Sequence, residues 1–161
     1  MKEIKNYEPS DIEIHIKDKG MVMREKSLIA LSLNDRKILA IGTDAEKMAL
    51  QNMDGVQVFS PLRYGMVADY AVSVVMFKYW IQKTWGRGKK MFLKPRIAVL
   101  APENMTDVEK KGLEDCMYQS GGRKVLIKEG SPERFWADVT AADDKRRSSY
   151  DMFIVITSEM N

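Results

Sequence analysis

Cysteine and histidine are nearly absent from this sequence, which contains one of each, Cys116 and His15. One cysteine cannot form an internal disulfide framework or a cysteine-cluster metal site, and one histidine cannot build a zinc site from several imidazoles. A serine–histidine–aspartate triad would have to use His15. That residue alternates with isoleucines in IEIHI at residues 12–16, which is typical of a half-buried strand, so we predict a solvent-facing histidine.

Long apolar runs and a strong charge imbalance are also missing. No segment approaches the roughly 20 apolar residues of a transmembrane span, and the first residues lack the apolar core of a secretory signal. The net charge of +3 is too small to indicate nucleic-acid binding. A composition of 45% apolar and 30% charged residues is typical of a folded domain. We predict one domain over residues 1–161, with a short disordered N-terminus at 1–10, in the cytoplasm.

A basic connector, GRGKK, stands at residues 86–90. We interpret it as a solvated loop. The alternative is a contact with an acidic membrane surface or with nucleic acid, for which five residues without interleaved aromatics are weak support.

Apolar periodicity predicts a group of strands near the N-terminus and alternating strands and helices later. The N-terminal strands are expected in a three-stranded antiparallel meander, at residues 12–17, 21–33 with a bend near 24–26, and 38–41. Later strands, continuously apolar and therefore buried on both faces, are expected at 97–101, 125–127 and 152–156. Since helices separate these later strands, the sequence predicts an α/β mixed sheet.

Helix starts are marked by capping residues. Thr43 with Glu46 and Thr106 with Glu109 have the spacing of a capping box, in which each side chain bonds the other residue's backbone N–H. The strongest helix is predicted over 70–85. Its apolar residues cover nearly the whole circumference, which predicts burial against more than one neighbour.

Six short motifs follow one another in the order found in a known family. Residues 60–70 read SPLRYGMVADY, and 76–81 read MFKYWI. The other four are KGMV at 19–22, ILAIGTDAEKM at 38–48, PRIAV at 95–99 and PENMTDVEK at 102–110. Together, over residues 11–157, they resemble the bacterial actin homologues of the MreB type, the rod shape-determining proteins. The resemblance implies an RNase H-like fold, that of the first domain of an actin-like ATPase: a mixed sheet flanked by helices, with the meander followed by βαβαβ.

The phosphate-binding segments of that family are altered here. The resemblance implies two lobes that hold phosphate between them, of which this chain would supply the first. The family opens with a strand-turn-strand, D-x-G-I-D-L-G-T-A-N-T, whose glycine backbone cradles phosphate, but residues 11–20 run directly into a hairpin. The second phosphate loop, D-I-G-G-G-T-T-D, corresponds to 154–161, where glycine is absent and Glu159 would repel phosphate. We expect no cofactor, with ATP and magnesium as the alternative, and no metal site.

Glu109 matches the family position that orients the hydrolytic water. It is also the third residue of a predicted capping box, and that structural role alone is worth about 1 kcal/mol. Because a water-orienting carboxylate has no use without bound phosphate, we interpret Glu109 as a helix cap and assign no catalytic residue.

Three functions are consistent with these observations. The leading hypothesis is a non-catalytic, half-length actin-like protein that acts by protein–protein interaction in bacterial cell shape or the cytoskeleton. Its partner would be a full-length actin-like filament protein or a second copy of itself. One alternative is a residual ATP-binding ATPase completed by dimerisation. The other is a stand-alone RNase H-like binding domain of unrelated role; RNase H chemistry itself would need carboxylates, for which the candidates are Asp11, Glu13, Asp69 and Glu109, to converge on a metal.

The interaction surface is expected where the family's E-E-P segment and following alanines are replaced. Residues 128–132 read KEGSP, and bulky side chains follow them. Arginine and tryptophan cannot occupy the space of alanine, so this surface has a different partner. The residues predicted to line an open face are Phe135, Trp136 and Met160.

Overall fold

A five-stranded sheet forms the centre of the molecule in the computed structural model, which describes residues 8–86, 93–140 and 150–158. In chain order the elements are β1 (Asp11–Ile16), β2 (Gly20–Lys26), β3 (Ile29–Ser32), β4 (Ile38–Ile41), α1 (Thr43–Gln51), β5 (Val56–Phe59), β6 (Leu62–Arg63), β7 (Met66–Val67), α2 (Tyr70–Trp85), β8 (Arg96–Ala101), α3 (Asp107–Gln119), β9 (Lys124–Glu129), α4 (Pro132–Thr140) and β10 (Met152–Thr157).

The main sheet has the order β2-β1-β10-β8-β9. The pairs β2–β1 and β1–β10 are antiparallel, whereas β10–β8 and β8–β9 are parallel. The predicted α/β mixed sheet is therefore confirmed. The last strand of the sequence lies in the middle of the sheet, between the N-terminal hairpin and the βαβ unit.

Strand β1 follows the predicted alternation. Ile12, Ile14 and Ile16 are buried in the larger core, beneath the helices of one face. His15 points to the other face but is not freely solvated as predicted. Its ring packs edge-on against Trp136 with 4.8 Å between centroids, and its side chain is only 20% exposed. The prediction was wrong because it could not include the helix that packs over this face.

The predicted meander is divided between two sheets. Strand β2 ends at Lys26, and the chain turns at Ser27 and Leu28 before β3 enters a second antiparallel sheet of order β4-β3-β5. The backbone N–H of Ser27 donates to the carbonyl of Ser10, and that of Leu28 to the carbonyl of Lys26. Leu28 is then buried beneath α1, in a small hydrophobic core that is separate from the larger core beneath the main sheet. The single strand predicted at 21–33 is thus two strands.

Helix α1 begins without the predicted capping box. Its N-cap is Gly42, and the N–H of Thr43 donates to Oε1 of Glu25 at 2.9 Å. The carboxylate of Glu25, on β2, therefore caps the start of α1 in place of the side chain of Thr43. Gly42 has a φ of 71°, and a Cβ there would lie 1.8 Å from that same Oε1. Glycine at position 42 allows the carboxylate to reach the helix.

Helix α2 begins as predicted, because Oδ1 of Asp69 accepts the N–H of Val72 at 3.1 Å. The helix packs against more than one neighbour, as predicted, but its outer side is open, since Val75 is 43% and Tyr79 45% exposed. Trp80 and the other buried side chains of α2 face the main sheet and α3. In the described ranges, no helix combines the length and apolarity needed to cross a bilayer.

Helix α4 covers the opposite face of the sheet. Phe135 is 2% exposed and packs in the smaller core with Phe153 and Val139, so its predicted place on an open surface is wrong. Trp136 is half-buried, with its ring 5.3 Å from that of Phe153. Met160 and most of the basic connector lie outside the described residues.

Candidate functional site

The carboxyl ends of β8, β9 and β10 meet at one edge of the main sheet, because these three strands are parallel. Ligands of open α/β sheets bind outside the carboxyl ends of such strands. The segments that follow the strands are 102–106, Gly130 and Ser158. This edge is the candidate functional site.

Glu109 is bonded to its own helix. Oγ1 of Thr106 accepts the N–H of Glu109 at 3.1 Å, and Oε1 of Glu109 accepts the N–H of Thr106 at 2.8 Å. The predicted capping box is confirmed. The carboxylate of Glu109 therefore holds the first turn of α3.

Glu129, the last residue of β9, holds the loop that follows β8. Its Oε1 accepts the N–H of Asn104 at 2.8 Å and that of Met105 at 3.4 Å, while Oε2 lies 2.6 Å from Nζ of Lys110. The hydrogen bond from Lys110, with those from the backbone, lowers the pKa of Glu129, and the same bond raises the pKa of Lys110. Glu129 was not predicted as a site residue; an acidic residue at the carboxyl end of a buried strand was the available signal.

The β6–β7 hairpin covers the ends of β8 and β10. Gly65, at its turn, has a φ of 80°, and a Cβ there would lie 2.4 Å from Cγ of Pro102 and 3.3 Å from a methyl group of Ile156. The hairpin therefore packs on this edge with no room for another side chain.

Four serines surround the carboxyl end of β10. The N–H of Ser10 donates to Oγ of Ser27, which lies 2.9 Å from Oγ of Ser60. The hydroxyls of Ser10 and Ser158 are buried and have no hydrogen-bond partner within the described part of the chain. Asp11 pairs with Thr157, so these two serines occupy the next register position. They were missed in the sequence because isolated serines in four separate segments form no pattern.

The acidic residues considered for metal chemistry have separate roles. Oδ1 of Asp11 accepts from Lys26 at 2.9 Å, Oε1 of Glu13 lies 3.0 Å from Nε2 of His15, and Asp69 caps α2. Within 8–86, 93–140 and 150–158, no three His, Cys, Asp or Glu residues are placed to hold a metal ion. Burial raises the pKa of Cys116 to about 11, so its thiol is protonated and unreactive at neutral pH.

A nucleotide phosphate at this edge would need free backbone N–H groups. The N–H groups of Asn104, Met105 and Thr106 already donate to the carboxylates of Glu129 and Glu109. Those negative charges would also repel a phosphate. The N–H groups of residues 104–106 are therefore not available to a phosphate group.

A mixed sheet with helices on both faces, joined to a small antiparallel sheet, places the protein in the actin-like class of α/β folds. Comparison with known families gives the family: the family model described as "MreB/Mbl protein" matches residues 9–158 of this chain. The chain belongs to the MreB/Mbl family. This confirms the resemblance seen in the six motifs.

Relatives extend well beyond the region that they share with this chain. The cell shape-determining protein Mbl of Bacillus subtilis (strain 168) is 36% identical over 120 residues, which are 74% of this chain and 35% of Mbl. The cell shape-determining protein MreB of Escherichia coli (strain K12) is 26% identical over 118 residues, 71% of this chain and 34% of that protein. The chain thus spans about a third of the length of these relatives.

Solved structures agree on the fold. MreB5 of Spiroplasma citri bound to ADP superposes with a TM-score of 0.63 at 21% identity, and the same protein bound to AMPPNP with 0.65 at 20%. Each match covers 74% of this chain and 35% of the solved one. At this level of identity the likeness establishes the fold alone.

Proposed function

We propose that this chain is a non-catalytic actin-like protein that acts by protein–protein interaction in bacterial cell shape. One observation carries the proposal: two carboxylates, Glu109 and Glu129, take up the backbone N–H groups at the edge where a phosphate would have to bind. The cell-shape role is suggested by the relatives, which are named as cell shape-determining proteins.

Glu129 acts as an internal anion for the loop after β8. Asn104 has a φ of 68°, a conformation that lets neighbouring N–H groups point towards one acceptor, as in the concave loops that bind anions. Here the acceptor is Oε1 of Glu129, and Lys110 balances its charge at Oε2. A phosphate would have to displace a carboxylate that already has a matched cation and two backbone donors.

The outer sides of two helices support an interaction role. Val75 and Tyr79 on α2 are about half exposed, as is Tyr118 on α3, and Val108 at the start of α3 is 81% exposed. Val75 and Tyr79 lie one helical turn apart, and contiguous exposed apolar patches mark interaction sites. The proposed partners are a full-length actin-like filament protein or a second copy of this chain, in the cytoplasm, where a buried unpaired cysteine stays reduced.

Titration calorimetry with Mg·ATP and Mg·ADP tests the loss of nucleotide binding. We expect no heat of binding at millimolar nucleotide. Purified full-length Mbl, titrated under the same conditions, is the comparison protein. Micromolar binding by this chain would contradict the proposal. If that binding strengthened with protein concentration, and hydrolysis were lost in Glu109→Gln, it would support an ATPase completed by dimerisation.

Partner binding is tested separately by co-sedimentation with the full-length MreB-type protein of the same cell. Light scattering after size-exclusion chromatography measures self-association. We expect the chain to pellet with the filament or to form a dimer, and Val75→Lys with Tyr79→Lys to reduce that binding. A monomer that never pellets with filaments would favour the stand-alone domain of unrelated role.

A further inference from the structure

We propose that the hydroxyls of Ser10 and Ser158 form a binding site for one buried water molecule at the rim of the main sheet. Both hydroxyl oxygens are buried and have no hydrogen-bond partner among the described residues. A buried hydroxyl without a partner costs free energy, so such groups in folded proteins are bonded to protein or to ordered water. These two groups therefore require a partner besides the described residues.

Ser10 and Ser158 lie opposite each other. The antiparallel register of β1 and β10 makes them the next pair beyond the two strands. Ile12 and Ile156, each two positions away along its own strand, are buried in the larger core, so both serine side chains lie on that same face. Opposite residues have Cβ atoms about 4.5–5.5 Å apart, and a water that makes two hydrogen bonds of about 2.8 Å spans such a gap.

The neighbouring serines have no hydroxyl proton left to donate. The carbonyl of Leu62 can only accept, so the hydroxyl of Ser60 donates to it at 2.8 Å. Because Ser60 has one hydroxyl proton, Ser27 must be the donor in the 2.9 Å hydrogen bond between their Oγ atoms. Oγ of Ser27 also accepts the N–H of Ser10 at 2.8 Å, which leaves it a single lone pair.

The polarity of this site favours a water over an empty space. Apolar cavities stay dry, whereas a buried water is held by two to four polar partners. The two unpartnered hydroxyls meet that requirement, and Ser10 and Ser27 are both 0% exposed, so the site is closed to bulk solvent. The water would join the start of β1 to the end of β10, beside the candidate functional site.

A crystal structure of the full chain, at a resolution that shows ordered waters, is the first test. We expect one water within about 2.6–3.2 Å of both Oγ atoms. A direct bond between the two hydroxyls, a protein group bonded to either in place of the water, or no density between them would overturn the proposal.

Urea unfolding of serine variants tests the site in solution. Ser10→Ala and Ser158→Ala should each lower the urea midpoint, because each leaves the water one partner short. If no water were bound, each substitution would remove an unsatisfied hydroxyl, and the midpoint would rise. A rise in either variant would therefore overturn the proposal.

The double variant tests whether the two hydroxyls share one water. Its midpoint should fall by less than the sum of the two single changes, since the second substitution acts on a site already disrupted. Ser10→Ala with Ser120→Ala is the matched control. Ser120 is also a buried serine, but its hydroxyl donates to the carbonyl of Cys116 at 2.7 Å, so these two changes should add. Additive losses for Ser10 and Ser158 as well would contradict a shared water.

Discussion

Arg96 and Asp151 form a bidentate ion pair where β8 and β10 begin. Nε of Arg96 lies 2.9 Å from Oδ2 and its second terminal nitrogen 2.8 Å from Oδ1, while the backbone N–H of Arg96 also donates to Oδ2. The two residues are 55 positions apart. Paired guanidinium–carboxylate bonds are both stronger and more directional than a single contact, so this pair holds two parallel strands in register.

Asp151→Asn should lower the free energy of unfolding by about 1.5–3 kcal/mol, because charge-assisted hydrogen bonds to a half-buried group are lost. Urea unfolding measures this change. Asp138→Asn is the control: its ion pair with Lys128 is exposed, and such pairs contribute about 0–1 kcal/mol. Equal losses of stability in the two variants would show that the Arg96–Asp151 pair contributes no more than an exposed ion pair.

The same pair should make stability depend on pH. Burial alone would raise the pKa of Asp151, but the hydrogen bonds from Arg96 outweigh it and hold that pKa below its usual value. The contribution is therefore present above the unfolded pKa of about 3.9 and is lost as the pH falls through the lower folded value. The stability difference between the wild type and Asp151→Asn should shrink below about pH 4 in thermal melts. A difference that stays constant with pH would contradict this assignment.

Glu109→Gln tests whether the capping role of Glu109 depends on its charge. Glutamine preserves the capping box, so stability should change by less than about 0.5 kcal/mol, whereas Thr106→Ala should cost about 1 kcal/mol. Thermal melts of the two variants give the comparison. A large stability loss in Glu109→Gln would mean that the carboxylate charge, rather than the cap geometry, is what α3 requires.

Glu129→Ala should destabilise the protein by about 1–3 kcal/mol, because the N–H groups of Asn104 and Met105 lose their acceptor. The neighbouring exposed Glu103→Ala is the matched control and should have little effect. Denaturant unfolding measures both. Equal stability of the two variants would show that Glu129 does not hold this loop.

Gly42→Ala and Gly20→Ala both introduce backbone strain, but only Gly42→Ala also introduces a steric contact. Both glycines have positive φ, at 71° and 80°, so alanine is strained at either position, by about 1–3 kcal/mol. Around Gly20 the space is open, but at Gly42 the new Cβ must displace the carboxylate of Glu25. Gly42→Ala should therefore cost about 1 kcal/mol more. The excess should disappear in a Glu25→Ala background, and an excess that persisted there would implicate another contact.

Local patterns predicted the parts of the fold that depend on neighbours in sequence. The box of Thr106 with Glu109 and the alternation of Ile12 and Ile14 both arise within a few residues. The cap on α1 escaped prediction because its carboxylate comes from Glu25, which no spacing rule connects to residue 43. The same reason hid Glu129, whose partners lie 19 to 25 residues earlier.

The burial of Phe135 and the exposure of Val75 were likewise settled at long range. Apolar periodicity states that a side chain prefers burial, but not whether an element is available to bury it. Helix α4 covers Phe135, whereas the outer side of α2 remains open at Val75.

By itself, the sequence determined the family, the alternation of buried strands with capped helices, and the absence of the multi-cysteine and multi-histidine chemistries. These follow from residue types and short spacings, which involve only residues that are close together in the sequence. Tertiary structure alone decided that β10 lies between β1 and β8, that the meander divides at Ser27, and that two glutamates fill the edge of the sheet. Strand partners and long-range acceptors are selected by which arrangement buries both faces and satisfies the backbone together, a condition that exists only in the packed molecule.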